Sequence, residues 1–274
     1  MSKQDPTRYS LANAFDLPGF VETKEVQRVS DLCQALRQTP SLGILVGMPG
    51  VGKTWAVQYV AQNEPEPEDF RCSPVIYTSY DVKAEVHGLL INLLNCLGPD
   101  YRAPVGDMTR LTCCWIHRRM TELIIIDNAD WLDKAAWHLL SDIQERTRCA
   151  FLFIGQPDLP RKLEGRYYQQ IRNRLALGIE MCPLTYDELF RFVKIWQHRR
   201  IRNRDPIVRR SFYLTGLEEE AEAVKEMYRV TMGNLRRAMQ FIEQAERVAQ
   251  VNGQILVQIE TIHAVAALMA SGRL

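Results

Sequence analysis

Residues 47–54 are Gly47, Met48, Pro49, Gly50, Val51, Gly52, Lys53 and Thr54, and they fit the pattern GxxxxGKT at every fixed position. The apolar run Ile44-Leu45-Val46 precedes it, and residues 55–62 have the pattern of a helix. In such a strand–loop–helix unit, the N–H groups of the Gly-rich turn and of the helix N-terminus form a cradle for anions. The lysine adds positive charge for the β- and γ-phosphates, and the threonine hydroxyl is a ligand for Mg²⁺. The stretch therefore predicts a site for ATP and Mg²⁺.

A second nucleotide motif follows at Leu123-Ile124-Ile125-Ile126-Asp127. Four apolar residues that end in an acid indicate a buried parallel strand, which delivers a carboxylate at its C-terminal end. We expect Asp127 to hold Mg²⁺ through water. ATP-hydrolysing proteins with these motifs usually carry Glu at the next position, where this chain has Asn128. Asn cannot accept a proton, so the usual general base is missing, and Asp130 is the alternative candidate.

Composition restricts the remaining function classes. The net charge is only +1, so any surface that attracts nucleic acid must be local. The seven cysteines are scattered and form no CxxC pair, which favours reduced thiols over a disulfide framework or a zinc site. No apolar run reaches the roughly 18–20 residues of a membrane span, and the N-terminus does not have the pattern of a signal peptide. We therefore expect a cytoplasmic protein with no membrane partner.

The chain divides into three parts. Residues 1–20 form an irregular leader. Between residues 21 and 184, apolar runs alternate with helical patterns, which predicts a parallel sheet with helices on both faces. The predicted strands are 43–46, 75–78, 123–126, 150–154 and 179–181. Residues 185–274 show almost only helical patterns, which predicts a small all-helical domain.

These features together resemble the AAA+ ATPases over about residues 20–270. The resemblance implies a three-layer P-loop domain followed by a helical lid. In that family the strand after the acidic strand ends in a polar residue, sensor one, that contacts the γ-phosphate or the attacking water. Gln156 matches that position. The lid stretch Gly233-Asn234-Leu235-Arg236-Arg237 is similar to the family's sensor-two motif, whose arginine, here Arg236, reaches the γ-phosphate.

The resemblance also implies assembly into oligomers. Between sensors one and two, the family places an arginine that projects into the nucleotide site of the neighbouring subunit, because the guanidinium fork matches phosphate charge. Arg172 and Arg174 are the two candidates, and a solvated basic turn is the alternative interpretation. An arginine of this kind would complete the nucleotide site only in an oligomer, either a ring or a helical filament.

Within the family, the leader Gly19-Phe20-Val21-Glu22-Thr23 and the stretch 153–159 resemble the TniB, TnsC and MuB group of transposition regulators. The second stretch is also similar to the secretion ATPase ExeA. The resemblance implies ATP-dependent polymerisation on double-stranded DNA without sequence preference. It also implies handover of that DNA to a transposase, with a target-selection protein as a further partner. Asn128 departs from the Asp-Glu pair of many relatives and argues for slow hydrolysis.

The resemblance places DNA contacts after the second strand and before the helix that leads to the acidic strand. The candidates there are Lys83, Arg102, Thr109 and Arg110, which would contact phosphates and not read sequence. A denser basic cluster at 198–210 is interpreted as a lid surface, a subunit interface or a second DNA contact. Solvated loops are the alternative for the four candidate residues.

Three other functions fit parts of this pattern. A replication initiator or helicase loader shares the same motifs but needs a helicase-contacting segment or a winged-helix domain. A secretion-assembly ATPase of the ExeA type needs a transmembrane segment. A nucleotide-sensing scaffold that hydrolyses ATP weakly is favoured by Asn128.

Overall fold

The computed structural model describes residues 22–63, 72–80, 85–98, 102–202, 217–254 and 257–271. By their contacts these residues form two compact units. The α/β unit contains Lys24–Pro49 and Lys53–Met181, and the helical unit contains Gly50–Gly52 and Cys182–Leu274.

The α/β unit is built from five strands and seven helices among the described residues. Its elements are α1 (Lys24–Gln38), β1 (Leu42–Val46), α2 (Lys53–Gln62), β2 (Val75–Ser79), α3 (Val86–Leu97), α4 (Val105–Arg118), β3 (Leu123–Asp127), α5 (Lys134–Thr147), β4 (Ala150–Gly155), α6 (Leu159–Lys162), α7 (Gln169–Arg172) and β5 (Leu175–Glu180). Short 3₁₀ turns occupy Ala129–Trp131 and Arg166–Tyr168.

All the strand pairs are parallel, and the order in the sheet is β2-β3-β4-β1-β5. Every residue of β1, β3 and β4 is buried, as expected for continuous apolar runs covered on both faces. Val46 pairs with Gly155, and Ser79 pairs with Asp127. The carboxyl ends of the strands therefore lie at one edge of the sheet, where the phosphate loop, Asp127 and Gln156 follow.

Helices cover both faces of this sheet. On one face, alternate strand residues pack with α3, α4 and α5, and the rings of Trp137 and Phe153 lie 4.2 Å apart between their centroids. On the other face lies α1, which approaches β1 so closely that a Cβ on Gly43 would meet Leu36 Cδ1 at 2.5 Å. The absence of a side chain at Gly43 therefore allows α1 to pack closely against β1.

The helical unit contains α8 (Tyr186–Arg202), α9 (Leu217–Thr231), α10 (Leu235–Val251) and α11 (Ile259–Ala270). Apolar residues of all four helices form its own buried core, among them Phe192, Met227, Phe241 and Val265. A capping box begins α8: Thr185 N–H donates to Glu188 Oε2 at 2.9 Å, and Glu188 N–H donates to Thr185 Oγ1 at 3.3 Å.

The fold class expected from the sequence is confirmed, namely a three-layer AAA+ domain with a parallel sheet followed by helices. Two boundaries differ. Thr109 and Arg110, expected before the helix that leads to the acidic strand, lie within it, because α4 already begins at Val105 and buries Met108, Thr112 and Ile116 at helical spacing. The last strand begins at Leu175, not at Ile179. Within the described ranges, no helix has the length and apolar character needed to cross a bilayer.

Candidate nucleotide-binding site

The phosphate loop owes its shape to two glycines. Gly50 has φ +84° and Gly52 has φ +109°, values that side-chain-bearing residues rarely adopt. Between them Val51 is buried and anchors the loop. Helix α2 begins at Lys53, so the N–H groups of its first turn face the loop. The sequence therefore produces the anion cradle that its motif predicts.

Lys53 lies over this loop. Its ammonium donates to the carbonyl of Gly47 at 2.6 Å and to that of Met48 at 3.1 Å. These two loop carbonyls hold the Lys53 ammonium against the loop. Lys53 is the residue that the motif assigns to the β- and γ-phosphates. Met48 itself is exposed.

Asp127 collects three hydrogen bonds at the end of β3. Thr54 Oγ1 donates to its Oδ2 at 2.7 Å, and the Tyr77 hydroxyl donates to the same oxygen at 3.0 Å. The backbone N–H of Asn128 donates to Oδ1 at 2.8 Å. Only 4% of Asp127 is exposed, so this network fixes the carboxylate beside the Thr54 hydroxyl. The two oxygen groups fit Mg²⁺, which prefers such ligands and keeps several waters.

Tyr77 is a site residue that sequence reasoning missed. Burial, followed by the charge of Asp127, raises the pKa of its hydroxyl far above the ordinary value, so it remains a neutral donor. One signal was present: Tyr77 lies in the predicted strand 75–78, whose carboxyl end meets the same sheet edge as Asp127. Pattern alone does not show that β2 is the neighbour of β3.

Asn128 adopts a left-handed backbone conformation, with φ 56° and ψ 41°. Its carbonyl accepts from Trp131 N–H at 3.0 Å and so begins the 3₁₀ turn. Asn tolerates this conformation better than most residues, which gives a structural reason for its presence. The turn leaves Trp131 51% exposed.

Gln156 follows β4 and is exposed at the same edge of the sheet. Its backbone N–H donates to Asp130 Oδ2 at 2.9 Å. Asp130, the candidate substitute base, therefore contacts the backbone of Gln156, the candidate for sensor one. Lys162 in turn donates to the carbonyl of Asp130 at 2.6 Å and to that of Leu132 at 3.3 Å.

Arg236 is exposed in the first turn of α10, and its backbone N–H donates to the carbonyl of Gly50 at 3.0 Å, within the helical unit. Asn234 caps this helix by accepting from Arg237 N–H at 3.2 Å. Gly233 has φ +74°, and a Cβ there would meet the Leu184 carbonyl oxygen at 2.0 Å. The motif's glycine and asparagine therefore have structural roles that place Arg236 next to the loop residue Gly50.

The two candidate inter-subunit arginines have different surroundings. Arg174 donates to the Ser141 carbonyl at 2.8 Å and forms an ion pair with Glu145 at 2.7 Å, both on α5 of the same chain. The hydrogen bond from Arg174, followed by its charge, lowers the pKa of Glu145. Arg172 is exposed, and among the described residues its guanidinium has one long contact, 3.5 Å, with the Glu164 carbonyl. The geometry favours Arg172 for contact with a neighbour.

The residues predicted to contact DNA lie in different surroundings. Lys83 lies outside the described residues. Thr109 is only 7% exposed, and its hydroxyl donates to the Val105 carbonyl at 2.8 Å, so the hydroxyl is engaged within its own helix. Arg102 is exposed. Arg110 is exposed on α4, not on a loop, and forms an ion pair with Asp107. Of the basic cluster 198–210, residues 203–210 lie outside the described residues, and no side chain of 198–202 is described.

The fold is of the AAA+ type, and the phosphate loop with Asp127 forms a nucleotide site of the P-loop kind. Residues 35–163, which include the loop, Asp127 and Gln156, match the family model of an AAA domain. The chain is 25% identical over 276 residues to a potential ATP-binding protein of Staphylococcus aureus, covering 89% of this chain and 93% of that protein.

A second relative is the Mu-like prophage FluMu DNA transposition protein B of Haemophilus influenzae. It is 22% identical over 223 residues, which cover 79% of this chain and 68% of that protein. Among solved structures, the ORC2 protein of Aeropyrum pernix in its ADPNP-ADP complexes superposes with a TM-score of 0.70 at 13% identity, covering 92% of this chain and 69% of that one. That likeness concerns the fold alone.

Proposed function

We propose that this protein is an ATP-dependent, DNA-binding transposition regulator, which oligomerises on target DNA and recruits or activates a transposase. The observation that carries the nucleotide part is the direct contact of Thr54 with Asp127 beside the Lys53 loop. The similarity to a DNA transposition protein supports the biological role.

In this proposal the loop N–H groups and Lys53 bind the ATP phosphates. Thr54 and Asp127 are the residues that would hold Mg²⁺. The metal supplies charge that favours phosphoryl transfer when it is bound. Tyr77 and the Asn128 N–H keep the Asp127 carboxylate in place, so that the site needs little rearrangement on binding.

Hydrolysis at this site is slow in the proposal. Asn128 stands where a general base is usual, and its amide cannot accept a proton. Gln156 orients water or the γ-phosphate. ATP-bound oligomers therefore persist on DNA until a partner protein or slow turnover releases them.

Oligomerisation follows from the arginines. Arg172 extends to the nucleotide of the neighbouring subunit, and Arg236 reads the γ-phosphate from the helical unit. ATP would then favour assembly because both contacts need the γ-phosphate.

DNA binding relies on phosphate contacts, with Arg102 and Arg110 as the described candidates and Lys83 as a further one. Contacts of this type release counterions, so affinity should fall linearly with salt on logarithmic scales and should not depend on sequence. A regulator that accepts many target sites needs this property. The transposase and a target-selection protein are the proposed partners.

The test is a DNA-binding measurement with ATP, with ADP and without nucleotide, on two unrelated duplexes, for the unaltered protein and for Lys53→Ala. The proposal expects ATP-dependent binding to both duplexes and its loss in Lys53→Ala. Arg37→Ala is a suitable control, because Arg37 pairs with Glu122, which precedes β3 and so lies at the edge of the sheet opposite the loop.

A replication initiator or helicase loader is the second candidate, favoured by the structural likeness to the ORC2 protein. The same experiment separates the two. Strong preference for one duplex, or affinity that does not change with ATP, would favour the initiator.

A further inference from the structure

We propose that Asp130 is a positioning residue for Gln156 and not the substitute general base, and that Lys162 holds Asp130 in place. The inference rests on the proposed function only in giving Gln156 a role at the nucleotide. The contacts themselves do not depend on that role.

The carboxylate of Asp130 is committed to the end of β4. Its Oδ2 accepts from Gln156 N–H at 2.9 Å. A Cβ added to Gly155 would lie 2.9 Å from Oδ2 and 3.1 Å from Oδ1, so both oxygens lie against the backbone of Gly155. The lack of a side chain at Gly155 is what allows this approach. A base must instead direct an oxygen at the attacking water.

The backbone that carries Asp130 is fixed from the other side. Lys162, at the end of α6, donates to the carbonyls of Asp130 and Leu132. Leu159, the first residue of the same helix, is buried, and its Cδ2 would lie 2.7 Å from a Gly155 Cβ. The segments after β3 and after β4 are therefore tied together in two places.

This arrangement has a consequence for Gln156. Its side chain is exposed, so packing does not orient it. Its backbone makes two hydrogen bonds: the carbonyl accepts from Leu159 N–H at 3.0 Å, and the N–H donates to the carboxylate of Asp130. The second has a charged acceptor, a type that is roughly twice as strong as a neutral one. Removal of the acceptor should therefore release the sensor while leaving the phosphate loop intact.

The variant Asp130→Asn distinguishes a positioning role of Asp130 from a role as general base. The amide oxygen of Asp130→Asn can accept from Gln156 N–H, but the amide cannot take a proton from water. Asp130→Ala removes both abilities. A positioning role thus predicts that Asn rescues what Ala loses, whereas a base role predicts that the two variants fail alike.

The first measurement is amide hydrogen exchange at Gln156, which needs no ATP turnover. We expect Asp130→Ala to speed exchange at the Gln156 N–H about tenfold or more, since hydrogen bonds to charged groups are among the stronger ones in proteins. Asp130→Asn should stay close to the unaltered protein, and Lys162→Ala should show a smaller acceleration. Asp158→Ala is the control, because Asp158 is an exposed carboxylate at the same end of β4 that pairs only loosely with Arg161, at 3.6 Å.

The second measurement is phosphate release, with ATP affinity measured in parallel. We expect Asp130→Ala to lower kcat with little change in affinity, and Asp130→Asn to retain most of the rate. Equal losses of about 10²–10⁴-fold in both variants would establish Asp130 as the base and overturn the inference. Unchanged exchange at Gln156 in Asp130→Ala would also overturn it. If the unaltered protein releases no phosphate, the proposed hydrolysis fails, and the exchange measurement alone decides the inference.

Discussion

Replacement of Arg174 and of Arg172 by alanine should have opposite effects, although only two positions separate them. Arg174→Ala should lower the stability of the fold and affect assembly little. Arg172→Ala should leave stability nearly unchanged and weaken ATP-driven self-association. The difference follows from the partners that each guanidinium has within its own chain.

The size of the Arg174 effect comes from its bond to the Ser141 carbonyl at 2.8 Å, supported by Ser141 Oγ at 3.2 Å. A hydrogen bond from a charged donor contributes about 1.5–3 kcal/mol. Arg174 is one-third exposed, and its pair with Glu145 is open to solvent, so screening reduces the gain. We expect Arg174→Ala to lower the free energy of unfolding by about 1–2 kcal/mol, which corresponds to a melting temperature lower by about 2–8 °C. Arg172→Ala should lower the free energy of unfolding by about 0.5 kcal/mol at most, because it removes a contact of 3.5 Å.

The assay combines thermal melting without nucleotide and light scattering with ATP, for both variants and for the exposed control Arg161→Ala. Arg172→Ala should need about tenfold more protein to assemble, if it loses one charged contact worth about 1.4 kcal/mol. The reasoning is refuted if Arg174→Ala melts like the unaltered protein yet fails to assemble, or if Arg172→Ala assembles normally.

Three further substitutions test the site. Gly50→Ala should abolish most nucleotide binding in a fluorescent-ATP titration, because φ +84° costs a side-chain-bearing residue about 1–2 kcal/mol and the Cβ would meet Asn234 Oδ1 at 2.6 Å. Gly106→Ala is the control in the same titration, because its Cβ meets nothing within 4 Å. Asn128→Asp should raise phosphate release more than Asn128→Glu, since Asp tolerates the left-handed conformation better, and equal rates in all three proteins would count against a missing base. Tyr77→Phe should lower unfolding free energy by about 1.5 kcal/mol in urea, whereas Tyr167→Phe, on an exposed ring, should not.

The fold was predictable because its three central strands, β1, β3 and β4, are continuous apolar runs, which fit a sheet covered on both faces. The pattern around 44–54 placed a strand, a loop and a helix in order, and the structure has β1, the phosphate loop and α2 there. The approach of Thr54 to Asp127 could also be expected, because parallel strands bring their carboxyl ends to one edge.

What escaped prediction depends on contacts between distant segments. Arg172 and Arg174 look alike in sequence, and only the position of α5 decides that Arg174 bonds to Ser141 and Glu145. The early start of α4 was hidden by Pro104 and Gly106, which suggest a loop. Pro104 immediately precedes the helix, where its missing N–H costs nothing, and Gly106 lies in the first turn.

Nucleotide control of assembly on DNA is the central claim, and sedimentation velocity tests it most directly. The protein is mixed with a duplex of arbitrary sequence and with ATP or ADP, at two salt concentrations, and Lys53→Ala is measured alongside. The account predicts a fast-sedimenting complex with ATP alone, weakened by salt and absent in Lys53→Ala. A protein that stays monomeric with ATP and DNA, or that assembles equally with ADP or in Lys53→Ala, would contradict it.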